Sequence, residues 1–171
     1  GVYFDTGFHY AGSIGAEGLL SHLLQALGLA EELASEVETE DVYDRVRFQG
    51  TGRDISFAQG WEALATGLGA DFPHEKSGIE VYLQKVRAWW EEGRTAFESS
   101  HGRGLGPLFT KASNNLRDTR IEVTQDPYLR AVLGCHGILY GTPAQATSLM
   151  FHSQVVGSYY EASCVWRGGG R

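Results

Sequence analysis

A chain of 171 residues, 42% apolar and 20% charged, is long enough to build one domain around its own core without a metal or a disulfide. A net charge of −7, with no run of Lys or Arg, argues against a nucleic-acid footprint. Cys135 and Cys164 stand far apart without metal-ligand spacing and read as free thiols of a reducing compartment, and no signal peptide or bilayer-length apolar run of roughly 20 residues is present.

In chain order, the aromatic and β-branched stretch Val2 to Tyr10 predicts a strand. Gly12, Gly15 and Gly18 then lead into a helix whose Leu19, Leu20, Leu23, Leu24 and Leu27 share one face, ended by Gly28, with a short second helix through Ala34. The acidic run Glu36 to Asp41 reads as a solvated helix end. Val42 to Gln49 alternates as a strand, with Val42, Val46 and Phe48 on one face and Tyr43, Arg45 and Arg47 on the other. Gly50-Thr51-Gly52 turns it back into a second strand through Ile55 and Phe57.

Gln59 to Ala70 predicts a short helix, interrupted at Phe72-Pro73 because proline disfavours α geometry in the residue before it. The longest helix follows, with Ile79, Tyr82, Leu83, Val86, Trp89, Trp90 and Phe97 at helical spacing. His101 to Pro107 is a loop, and Asn114 to Val123 fits no single pattern. Asp126-Pro127 carries a helix-start signal, and Thr142-Pro143 repeats it before a last helix running to about Glu161. A strand from Ala162 to Trp166 follows. The expected architecture is α+β, one mixed, largely antiparallel sheet with helices packed on one face.

Familiar catalytic signatures are missing. Gly12, Gly15 and Gly18 follow a strand and precede a helix, but their spacing is not that of the dinucleotide fingerprint, and Gly102, Gly104 and Gly106 follow a helix. There is no G-x-S-x-G elbow, and the six histidines, His9, His22, His74, His101, His136 and His152, form no metal-ligand pattern. Two glycine-bearing strand ends stand out, Asp5 to Tyr10 and Arg167 to Gly170. Either permits close backbone approach to a flat ligand, but on spacing alone the first reads as a strand end near a turn, and the second is equally explained as a flexible tail.

These segments together resemble the phytoene desaturase-like flavoproteins, especially the retinol saturase and carotenoid isomerase branch. Phe4-Asp5-Thr6-Gly7-Phe8-His9-Tyr10 with Gly12 is similar to that family's D-x-G-x-H-Y segment. Arg45-Val46-Arg47-Phe48, Gly60 and Phe72-Pro73-His74-Glu75 are similar to the middle of such proteins, and Gly141-Thr142-Pro143 to a G-x-P before a helix. Ser148, His152, Tyr159, Glu161, Arg167, Gly168 and Gly169 fall in register with the family's closing stretch. Ser158 stands where many members carry a second His, Ala162 replaces a Gly, and Val165-Trp166 replaces Tyr-Pro. The substrate, and the choice among desaturation, saturation and isomerisation, therefore stay open.

The resemblance implies that residues 1–171 are a substrate-binding segment of a flavoprotein oxidoreductase whose FAD-binding Rossmann part lies in sequence before and after it. It implies hydride transfer between FAD and a hydrophobic, polyene-like substrate of carotenoid or retinoid type, with NAD(P) as a candidate electron donor or acceptor. Gly7, His9, Gly168 and Gly169 would lie beside the flavin ring. Phe151, His152 and Tyr159 would face substrate in a lipophilic tunnel, with Trp89 and Trp90 read as core. No catalytic residue and no metal ligand is named. The expected setting is cytoplasmic with peripheral membrane contact, and an apolar docking face would let the segment self-associate. The alternatives are the substrate domain of a flavin amine oxidase, or a stand-alone binding module without flavin.

Overall fold

The apolar stripe through Ile79, Tyr82, Leu83, Val86 and Trp90 winds into the spine of the molecule. A computed structural model describes residues 10–15, 18–31, 37–99, 108 and 114–166. In chain order the elements are β1 (Ala11–Gly12), α1 (Leu19–Ala26), β2 (Val37–Glu38), β3 (Val42–Phe48), β4 (Arg53–Ala58), α2 (Trp61–Asp71) and α3 (Lys76–Ser99). They continue with α4 (Leu116–Val123), α5 (Pro127–Val132), a 3-10 turn (Cys135–Leu139), α6 (Leu149–Glu161) and β5 (Ser163–Trp166).

The fold is α+β, as the residue patterns indicate. Among the described residues its strands are divided between two small antiparallel sheets, one in the order β1-β5-β2 and the other the β3–β4 hairpin, where a single sheet was expected. Gln59, just past the hairpin, joins the two. Its amide donates to Ser163 O and accepts from Ser163 N at 2.9 Å, so a side chain does the work of a neighbouring strand. α6 packs across α3 and against β1, and the hairpin packs on α2. The core between them holds Phe57, Leu64, Leu68, Tyr82, Leu129 and Tyr160, each 1% exposed or less.

Local chemistry explains the helix boundaries. Asp126 caps α5, its Oδ1 accepting from Tyr128 N at 2.8 Å and Leu129 N at 3.0 Å, with Pro127 at the first turn. Asp126→Ala is expected to cost about 1 kcal/mol in urea unfolding; an unchanged midpoint would show the cap to be idle. Asn115, in the segment without a clear pattern, caps α4 by accepting from Asp118 N at 2.8 Å.

Three expectations are corrected. Val37 and Glu38, within or beside the acidic run expected to end a helix, pair with Trp166 and Val165 as a strand, because β5 offers an open edge there. Thr142-Pro143 does not start the last helix: Ala146 N donates to Pro143 O at 2.8 Å in a turn, and α6 begins only after Ser148, whose hydroxyl accepts from Phe151 N at 3.1 Å. Tyr43, assigned to the wet face of its strand, packs on the core, since the register shifts between Val42 and Asp44 and rotates it inward. The expected strand over Val2 to Tyr10 lies outside the described residues except for Tyr10. Among the described residues no helix is long and apolar enough to cross a membrane.

Candidate functional site

α6 presents different chemistry on its two sides. Towards the core it carries His152, fully buried, with Tyr82 and Tyr140 at its two ring nitrogens. Hydrogen-bond accounting assigns the tautomer. Tyr82 spends its single proton on Leu133 O at 2.8 Å, so it accepts from His152 Nε2–H at 2.8 Å, leaving Nδ1 to accept from Tyr140 at 2.7 Å. Every partner is satisfied only if the imidazole is neutral. Burial, reinforced by the neighbouring His136 ring and the Arg120 guanidinium, brings the His152 pKa down to about 3.

A second polar centre lies where the hairpin meets the 3-10 turn. Tyr10 donates to Asp44 Oδ2 at 3.2 Å, and His136 Nε2 sits 3.2 Å from the same oxygen, near enough for an electrostatic contact but not aligned as a hydrogen bond. Burial works to raise the Asp44 pKa, yet the His136 ring, the Arg45 N–H and the Tyr10 hydroxyl together hold it below the usual carboxylate value. Cys135 Sγ stands 3.6 Å from His136 Nδ1, which completes a Cys–His–Asp row. It is not a nucleophilic triad. Burial pushes the thiol up to about 12, so almost no thiolate exists at neutral pH. Among the described residues no group of three or more His, Cys, Asp or Glu is arranged to hold a metal.

On the opposite side of α6, between it and α1, α3 and β1, opens a cavity of about 400 Å³. Leu19, Leu20 and Leu23 of α1 and Trp90 and Phe97 of α3 supply its apolar walls. Backbone close approach makes the space possible. A Cβ on Gly12 would stand 2.6 Å from the Ser158 carbonyl carbon, so only glycine lets β1 lie against α6. Ser13 follows at a φ of 57°, an uncommon conformation for a residue with a side chain, and is held there from every side. Its N–H reaches Ser158 O at 3.0 Å and Ala162 O at 2.8 Å, its carbonyl accepts from Leu20 N at 3.1 Å, and its hydroxyl donates to Glu161 Oε2 at 3.2 Å. This residue therefore fastens α1 over the cavity. Arg94 closes the rim through a 3.1 Å bond to Glu161 Oε1.

β1 and β5 meet beside this cavity, with Ala11 opposite Cys164 and Gly12 opposite Ser163. A smaller cavity of about 110 Å³ adjoins them, lined by Tyr10, Tyr43, Gln59 and Ser163 among others. The Tyr43 hydroxyl and the Ser163 hydroxyl are buried there without partners. No family model, no curated protein and no solved structure matches this chain.

Gly7, His9, Gly168 and Gly169 lie outside the described residues. Of the three residues expected to face substrate, His152 is sealed in the core with both nitrogens engaged. Phe151 is partly buried against the Tyr140 ring at 5.3 Å, and Tyr159 lies edge-on to Tyr10 at 4.7 Å. None of the three lines the larger cavity; Trp90, read as core, does. The leucine face of α1 is legible in the sequence, but its place beside a cavity is not. A short helix with one apolar face and no buried residue is a wall with space behind it, not a piece of core.

Proposed function

We propose that this chain is the substrate-side segment of an FAD-dependent oxidoreductase that moves hydride between the flavin and a hydrophobic, polyene-like molecule. One observation carries the reading: β1 and β5 pair antiparallel, so the strands next to Asp5–Tyr10 and Arg167–Gly169 are neighbours in one sheet. In the resembling family these two segments flank the flavin. The large apolar cavity beside that pair, walled by leucines and one tryptophan, suits a lipophilic substrate.

The described residues fit a flavin at one point. Tyr43 and Ser163 line the small cavity next to the strand pair, and their hydroxyls, buried without partners, have hydrogen-bonding capacity of the kind the polar edge of such a ring would use. Gly7, His9, Gly168 and Gly169 would hold the cofactor, which when bound supplies the hydride chemistry. The chain's own contribution is to orient and to exclude water. Ser13 and the Arg94–Glu161 pair fix the wall of the cavity, and the leucines of α1 give it an apolar lining.

A flavin amine oxidase reading finds some support in Tyr10, Tyr43 and Tyr159 beside the Asp44 carboxylate, an aromatic and anionic surrounding of the kind that attracts an ammonium. Those rings already touch, however, at centroid separations of 5.6 and 4.7 Å, and leave no gap for a cation between them. The apolar reading is therefore preferred. A lipophilic substrate favours peripheral membrane contact, and two free cysteines favour a reducing, cytoplasmic setting.

The test is to purify the protein from its complete natural reading frame and record the visible spectrum. Bound FAD, bleached by a hydrophobic polyene or refilled with electrons from NAD(P)H, is the expected result; a colourless protein that cannot be reconstituted with FAD overturns the proposal. Residues 1–171 alone are expected to leave flavin fluorescence unchanged on titration, and micromolar quenching would count against the division of labour proposed here.

A further inference from the structure

Leu19, Leu23 and Leu27 follow one another along α1 at intervals of four residues, so they form a single row. The row runs out of the cavity onto the surface. Leu19 and Leu23 line the cavity, Leu23 is already 42% exposed, and Leu27, just past the helix, is 70% exposed. Gly28, at a φ of 73°, then turns the chain so that Leu29 N–H returns to Leu24 O at 2.9 Å, which holds the exposed Leu29 side chain at the same helix end. A helix on a protein surface ordinarily turns charged residues to solvent. This one has none. From Gly18 to Ala30 there is no Asp, Glu, Lys or Arg, in a chain where such residues make up 20%, and no residue of α1 is buried.

We propose that α1 docks on a bilayer of uncharged or zwitterionic lipid, with Leu23, Leu27 and Leu29 inserted among the acyl chains and the mouth of the cavity held against the lipid. The docking is argued from α1 alone; its use, passing a lipophilic substrate from the bilayer into the cavity, rests on the flavoprotein reading above. Area favours lipid over a second copy of this chain. The eight residues of α1 make a strip about 12 Å long and about 10 Å wide, far short of the roughly 800 Å² that each partner of a stable dimer covers. Insertion into lipid sets no such threshold, since binding grows with whatever apolar area is inserted. Charge chooses the lipid. Without Lys or Arg the helix offers nothing to anionic headgroups, and a chain of net charge −7 is repelled by them within about 10 Å of the surface, whereas a zwitterionic surface leaves the leucines free to decide. The base of the helix is fixed for this task by Ser13, whose carbonyl accepts from Leu20 N at 3.1 Å and whose N–H is held by Ser158 O and Ala162 O.

The experiment floats the chain through a density gradient with vesicles of phosphatidylcholine, or with vesicles enriched in phosphatidylserine. The chain is expected to rise with the first and less with the second, the difference shrinking as salt is added. Leu27→Glu and, separately, Leu29→Glu should each weaken partitioning about tenfold or more, because a leucine leaves the lipid and a charge takes its place. Leu27→Met should float as the parent does. Ile138→Glu alters the most exposed of the large apolar residues described, at 84%, and should also float as the parent does, since that residue lies outside α1. Both glutamate variants change exposed side chains, and an unaltered urea midpoint shows that they remain folded. A chain that stays at the bottom of the gradient, flotation that survives both glutamates, a loss as large in Ile138→Glu, or a preference for anionic vesicles overturns the proposal. Light scattering without lipid covers the rival occupant: a dimer abolished by Leu27→Glu, together with no flotation, assigns α1 to self-contact instead. Neither flavin nor substrate is present in the gradient, so failure to float leaves the flavoprotein reading standing, and a protein that floats but never holds flavin leaves the docking surface standing.

Discussion

Lowering the pH from 7 to 5 is expected to remove about 2 kcal/mol of folding stability through His152 alone. The folded imidazole has its pKa depressed to about 3, by burial first and then by His136 and Arg120, while in the unfolded chain it returns to about 6.5. Below that value the unfolded chain binds a proton that the folded one refuses. Stability is thus full above pH 6.5 and drains away as acid is added, at about 1.4 kcal/mol per pH unit, until the folded pKa is reached. Asp44, also depressed in the folded state, contributes a loss of the same sign once the pH falls through the range of an unfolded carboxylate. Protonating His152 would turn Nδ1 from acceptor to donor, reverse the bond from Tyr140, and put a charge in the core. Urea unfolding at several pH values measures the slope, and His152→Gln should flatten it relative to the parent. Titration of the ring by NMR offers a check that needs no variant: a midpoint above pH 5 would refute the assignment of a neutral buried imidazole.

Enlarging Gly157 is expected to be the most damaging single change at the crossing of α3 and α6. An added Cβ would meet Trp90 Cγ at 2.6 Å and Trp90 Cβ at 2.7 Å, the inner atoms of the side chain and not its movable edge. Gly157→Ala gains up to about 1 kcal/mol in helix propensity and loses about 1–3 kcal/mol to overpacking, for a net cost of about 1 kcal/mol. Gly157→Val adds two further methyl groups and a poorer helix former, and should cost about 3 kcal/mol or more. Gly67→Ala in α2 provides the opposite sign, since a Cβ there meets nothing within 4 Å; it should gain about 0.5–1 kcal/mol. Equal midpoints for the two alanine variants would show that the helix crossing is looser than its geometry indicates.

What could be read from the residues alone was whatever local chemistry decides. Asp126-Pro127 starts a helix because a carboxylate and a fixed φ act within one turn, and the stripe from Ile79 to Trp90 is a helix because its period leaves no other choice. The α+β class followed from such elements. Long-range pairing was another matter. Val37 and Glu38 look like the end of a helix until β5 arrives to take them as an edge strand, and Tyr43 looks solvent-facing until a register shift turns it. Thr142-Pro143 carries the same start signal as Asp126-Pro127, but Thr147 bonds back to the carbonyls of both residues and closes a turn instead. The candidate site was least legible of all. His152 drew notice as a histidine on a helix, and its two tyrosine partners, distant in sequence, retire it to structure. Trp90 was one more apolar member of a stripe, because nothing in a sequence tells that an indole proton will find no acceptor.

The antiparallel pairing of Ala11 with Cys164 also constrains the order of events during synthesis. The hairpin of β3 and β4, and the helices α2 and α3 that follow it, involve neighbouring stretches and are able to form while the ribosome is still extending the chain. Among the described residues β1 has no strand to join until β5 has emerged, so it must wait while the chain between Gly12 and Ser163 is made. Closing so long a loop is entropically slow, and contacts this distant in sequence belong to the late part of a folding trajectory. The three-stranded sheet is thus the last of the described elements to set, and a chain that stops anywhere upstream of Ser163 lacks it.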